Sequence, residues 1–110
     1  MLELRSRIDN MLAINFIKEY EIDKARDVVK RRPIGGDYFN PKTWKYSLEK
    51  VPKGFLVSEL ARIVESIDLV EHMKGIKEVK KKFRDNGSLH GNRMKIIIAD
   101  YESVYGVEEA

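Results

Sequence analysis

Cysteine is absent from this 110-residue chain, which excludes a disulfide framework, a thiolate zinc site and a cysteine nucleophile. A reducing compartment suits such a composition. Histidine is scarce as well: His72 and His90 are the only two, without an H-x-x-x-H spacing, so a catalytic zinc site would lack ligands. Long hydrophobic runs are also missing. No stretch approaches a membrane span, and the first residues, with Glu3, Arg5, Arg7 and Asp9, lack the apolar segment of a secretory signal. A cytoplasmic protein with no membrane contact is therefore expected. Neither a repeat, a low-complexity tract nor a flexible linker divides the chain, and residues 1–110 are expected to form a single domain.

What is present is an ordinary core and a high density of charge. With 43% hydrophobic and 35% charged residues, the chain is too apolar for disorder and long enough to fold on its own core. Its formal net charge is only +3, so a nucleic-acid footprint would have to be local.

Between Leu56 and Arg84 the apolar stripe changes phase. Leu56, Leu60, Ile63, Ile67 and Val70 share one helical face, whereas Met73, Ile76, Val79 and Phe83 fall nearly opposite. One straight helix cannot bury both sets against one core, which predicts two helices. Asp68 and Glu71 have the spacing of an N-terminal capping box, placing the turn at Ser66-Ile67-Asp68 and the second helix over Asp68–Arg84. Along that helix Lys74, Lys77, Lys81 and Arg84 recur at i, i+3, i+7 and i+10, a cationic ridge beside the apolar seam.

Elsewhere the pattern is coarser. Asp9 to about Arg32 reads as one long helix, or two with a bend near Tyr20, ending in the basic cluster Lys30-Arg31-Arg32 that suits a helix C-terminus. Pro33 to Pro52 holds all three prolines with Tyr38, Phe39, Trp44 and Tyr46, and reads as an irregular loop tied down by its aromatics. Gly54–Val57 predicts a short strand leading into the first helix of the pair, with Ser58 as N-cap. The second helix should end near Asn86-Gly87. Beyond it, the β-branched run Ile96-Ile97-Ile98 predicts a hairpin with strands Ser88-Leu89 and Met94–Ala99 and a tip at His90-Gly91-Asn92-Arg93. The tail Tyr101–Ala110 is expected to add a further extended piece before an acidic, frayed end at Glu108 and Glu109. The core is expected to include Leu12, Ile17, Leu60, Ile63, Met73, Ile76, Phe83 and Ile97.

Taken in order, the helix, loop, strand, helix pair and hairpin resemble the winged helix-turn-helix family over residues 54–99. Leu56-Val57-Ser58-Glu59-Leu60-Ala61-Arg62-Ile63 is similar to the opening of that motif's first helix, and Asp85-Asn86-Gly87-Ser88-Leu89 to the exit from its recognition helix into the wing. The chain departs from the pattern in lacking a Gly at Ser66-Ile67-Asp68 and in carrying the long aromatic loop. The resemblance implies an α+β, mostly helical fold and a small DNA-binding regulatory or accessory protein. Its basic helix would lie in the major groove, with His72, Lys74 and Lys77 nearest base edges and Lys81 and Arg84 on phosphates. Arg93, at the wing tip with Asn92 and Lys95, would reach a neighbouring groove or backbone, and Lys30, Arg31 and Arg32 offer a second phosphate clamp. A solvated Lys-rich face is the plainer reading of the same charges.

The alternative is a non-catalytic interaction module acting as inhibitor or adaptor of another protein, with Tyr38, Trp44 and Tyr46 as docking aromatics, interleaved with Lys42 and Lys45 that would equally suit single-stranded bases. Burial of Phe39 and Trp44 as lids over the helices competes with both. Asp37, Asp100 and Glu102 have no spacing that singles out a metal site. No enzyme, metal or cofactor is expected. Double-stranded DNA or a protein is the expected partner, and a homodimer stays open.

Overall fold

A computed structural model describes residues 2–86 and 91–106, with side chains described for 8–83 and 92–106. The fold is α+β and mostly helical, in the order α1 (Leu2–Lys30), β1 (Tyr38–Asn40), β2 (Lys45–Ser47), β3 (Phe55–Leu56), α2 (Val57–His72), α3 (Ile76–Asn86) and α4 (Gly91–Tyr105). No helix among the described residues is long and apolar enough to cross a membrane. The chain divides into two compact units, residues 1–64 and 65–110, and α2 runs through the boundary.

In the first unit α1 is broken at Glu21, whose φ of 73° and ψ of 164° are non-helical. Of the two readings, one long helix or two with a bend near Tyr20, the structure has the second. The bend also explains the breadth of the apolar stripe: Asp9, Ala13, Phe16 and Ile17 form one buried face, and after the break Ala25 and Val28 resume in a shifted phase. The first segment ends on rings, the second on a carbonyl cap. Val28 O, one of the last carbonyls without a partner inside the helix, accepts the Tyr46 hydroxyl at 2.6 Å.

The expected irregular loop contains two strands, β1 and β2, which with β3 form a three-stranded antiparallel sheet of order β2-β1-β3. Phe39 pairs with Tyr46 on one side and Phe55 on the other, and both Phe39 and Phe55 are fully buried. β3 lies within the predicted strand. Helix α2 then begins at Val57, so Ser58 is one residue inside it and is not the N-cap; the Val57 amide donates instead to Asp37 O at 2.9 Å.

In the second unit the helix pair exists but its turn is elsewhere. Helix α2 is unbroken through Ser66–Leu69, and the turn is Lys74-Gly75, with φ of 73° and 109°. The Gly75 amide donates to Val70 O and the Lys74 amide to Glu71 O, the two bonds of a Schellman motif. Gly75 O then accepts the Val79 amide and so starts α3. The apolar phase changes between Val70 and Met73, not at Ser66-Ile67-Asp68, and Leu60, Ile63, Ile67 and Val70 form one continuous buried stripe up to the Lys74-Gly75 turn. Asp68 and Glu71 are ordinary helix-interior neighbours at i,i+3, a spacing a capping box shares.

Neither the predicted strand Met94–Ala99 nor an extended piece from Tyr101 forms. Residues 91–105 are helical, and Met94, Ile97, Ile98 and Tyr101 pack with Val70, Ile76 and Val79. Their i, i+3, i+4, i+7 spacing is that of a helix face, and it outweighs the strand preference of the isoleucines. Ser88, Leu89 and His90, like Glu108 and Glu109, lie outside the described residues. Helix α3 is described as far as Asn86, and Gly87 of the expected Asn86-Gly87 stop lies outside the described residues. Of the expected core, Ile17, Leu60, Ile63, Ile76 and Ile97 are buried, whereas Leu12, Met73 and Phe83 are half-buried.

Candidate nucleic-acid interface

Helix α3 is short and strongly two-faced. Ile76 and Val79 are buried and Phe83 half-buried on one side, while Lys77 and Lys81, one turn apart, are exposed on the other. Lys74 in the preceding turn is exposed too. Neither Lys77 nor Lys81 joins an ion pair among the described residues. Lys80, at the border of the two faces, reaches Glu102 of α4 at 2.6 Å and is thereby taken out of any external contact. Arg84 has its backbone in α3, and its side chain lies outside those described.

The other expected groove contacts are displaced. His72 closes α2 and Lys74 sits in the connection, so neither occupies the first turns of the basic helix. Arg93 belongs to α4, not to a wing tip, and stands 3.6 Å from Glu65. Its neighbours Asn92 and Lys95 are exposed on the same helix. In the first unit Arg31 pairs with Asp27 and Arg32 with Asp37, each at 2.8 Å, which neutralises most of the Lys30-Arg31-Arg32 cluster. Lys30 itself is exposed in the last turn of α1.

The three docking aromatics have three different environments. Tyr46 is half-buried, with its hydroxyl committed to Val28 O and its ring 5.0 Å from Phe39; burial, then the charge of Asp27, raises its pKa against the opposing pull of Arg31. Tyr38 is half-buried with the Lys50 ammonium 5.8 Å from its ring centre. Trp44 alone is well exposed, at 44%.

Two polar sites carried no sequence signal. Lys50 holds the buried Asp9 carboxylate at 2.8 Å and donates to Gly54 O, beside a cavity of about 150 Å³ lined by Ile8, Asp9, Tyr38 and Lys50. Forty-one residues separate the pair, and only tertiary folding joins them. Ser66 donates to Asp100 at 2.7 Å inside the second unit, where both residues are buried. Each pair fastens two segments, since a buried carboxylate without a partner would be costly. Among the described residues no group of three or more His, Asp or Glu is placed to hold a metal ion.

Compared with known proteins, the chain matches no protein-family model, no curated protein and no solved structure. Function is therefore read from the residues and their geometry.

Proposed function

We propose that the chain binds duplex DNA through phosphate contacts from α3, as a small non-catalytic regulatory or accessory protein. The observation that carries this reading is the pair Lys77 and Lys81, exposed on the face of α3 away from its core and without ion-pair partners among the described residues. The turn lies at Lys74-Gly75 and not at Ser66-Ile67-Asp68, and α2 is unbroken through Ser66–Leu69, so the exposed lysines of α3 support DNA binding and the helix-turn-helix spacing does not. In this form the site lacks a wing from residues 91–99, and Lys74, Lys77, Lys81 and Arg84 replace the longer contact set. Phosphate contacts of this kind set affinity and register without reading bases.

Changing Lys77 and Lys81 together to Ala should weaken duplex binding equally across sequences and lower the slope of log K against log salt by about two. Stability should hardly change, because both side chains are exposed. The measurement is a salt-dependent shift of labelled duplex at micromolar protein. Wild-type protein that leaves the duplex unshifted at low salt overturns the reading.

A further inference from the structure

The end of the sheet in the first unit gathers charges that the rest of the unit does not neutralise. β1 continues into the loop Pro41-Lys42-Thr43-Trp44 and β2 starts at Lys45, while β3, paired to the opposite side of β1, is preceded by Lys53-Gly54. Strand register thus brings Lys42, Lys45 and Lys53 to one end of the sheet. All three are exposed, and none pairs with a carboxylate among the described residues. Interaction with the Lys42 side chain, then its charge, lowers the Lys53 pKa, as two cations placed at one sheet end require. An anion shared by the two would relieve that repulsion.

Trp44 stands in the same loop. Its ring centre is 5.6 Å from Phe16, 5.2 Å from Tyr20 and 5.1 Å from Phe39, so the indole is held from the inside while 44% of the residue stays exposed. The backbone is fixed as well. The Trp44 amide donates to Asn40 O at 2.7 Å and the Lys42 amide to Asn40 Oδ1 at 2.9 Å. Trp44 and Lys53 both have positive φ, 60° and 66°, a conformation unfavourable for side chains of this size and kept only where surrounding contacts enforce it.

We propose that this sheet end is a site for single-stranded nucleic acid, with an unpaired base stacked on Trp44 and adjacent phosphates on Lys42, Lys45 and Lys53. An anchored, partly exposed aromatic ring beside exposed cations is the arrangement such strands use. Bases within a duplex are stacked on one another and cannot cover the indole, and an acidic peptide answers the charges but leaves the aromatic face unused. The site is separate from α3 and does not depend on duplex binding there.

Trp44 is the single tryptophan, so its emission reports this site alone. Titrating the full chain with an oligothymidylate of about 12 nucleotides at low salt should quench that emission. The Lys42→Gln/Lys53→Gln protein should bind more weakly, with a salt slope reduced by about 1.4 for two lost single-strand contacts. Trp44→Leu, followed by anisotropy of a labelled strand, should lose roughly tenfold or more in affinity, whereas Trp44→Tyr, which keeps an aromatic face and the packing, should retain most of it. Lys77→Ala/Lys81→Ala should leave the quenching of Trp44 by the strand unchanged, which separates this site from the α3 ridge. Absence of quenching overturns the proposal, as does equal quenching by oligoglutamate, which would mark an acidic protein partner, or Trp44→Tyr binding as weakly as Trp44→Leu.

Discussion

Burial pushes the Glu59 carboxyl up, but hydrogen bonds from Arg62 at 2.6 Å and Asn10 at 3.0 Å, with the Arg62 charge, outweigh it and hold the pKa below its usual value. A depressed carboxylate contributes stability that is present above its unfolded pKa, about 4.3, and is lost as pH falls through the lower folded value. The same side chain links the start of α2 to α1. Glu59→Gln should therefore lower stability at neutral pH and flatten the fall in melting temperature below about pH 4. Thermal unfolding across the acid range checks this; an acid limb of unchanged steepness would show that Glu59 does not couple folding to protons. Tyr46 illustrates the other outcome at this scale. A tyrosine counted among docking candidates is spent on capping α1.

Turns decided more than propensities did at the level of elements. The Schellman motif at Lys74-Gly75 puts a lysine, not a glycine, at its left-handed position, which costs an L-residue about 1 kcal/mol or more. Lys74→Gly should accordingly raise stability by about 1 kcal/mol, seen as a higher denaturant midpoint at unchanged m-value. A lower midpoint would mean that the lysine side chain makes contacts outweighing its backbone. Helix α4 shows packing overriding local preference: three consecutive isoleucines favour a strand, yet the adjacent Ile97 and Ile98 pack on the same side with Met94 and Tyr101, as a helix face requires. The sheet in 38–56 was missed for the opposite reason. Its strands have only two or three residues each, too short for an alternating pattern to stand out.

Across the whole molecule, charge is sorted by partner. Arg26, Arg31, Arg32, Arg62 and Arg93 each face a carboxylate, whereas Lys77, Lys81, Lys42, Lys45 and Lys53 do not among the described residues. A net charge of +3 hides this division. Surface ion pairs contribute little to stability, whereas phosphate binding is steep in salt. Raising salt from about 50 to about 200 mM should therefore move the melting temperature only slightly while duplex affinity falls by an order of magnitude or more. A melting temperature that drops markedly over that range would assign the ion pairs a larger share of folding than their exposure implies.

By itself the sequence determined a mostly helical α+β chain, the strand before α2 and the presence of two helices in 56–84, and it left open whether α1 bends. Each of these rests on local pattern: apolar phase, glycine, a run of helix formers. The ridge of Lys77 and Lys81 was legible for the same reason, since i,i+4 spacing survives any shift of the turn. Tertiary structure decided where α2 ends, because a buried stripe through Ile67 and Val70 extends the helix past a capping pair that only looks like a start. It decided that residues 91–105 are helical, because Met94, Ile97, Ile98 and Tyr101 gain burial on α2 and α3 that a hairpin would forgo. It also decided which charges stay free: Arg32 finds Asp37 and Lys50 finds Asp9 through folding, and no spacing along the chain records those meetings.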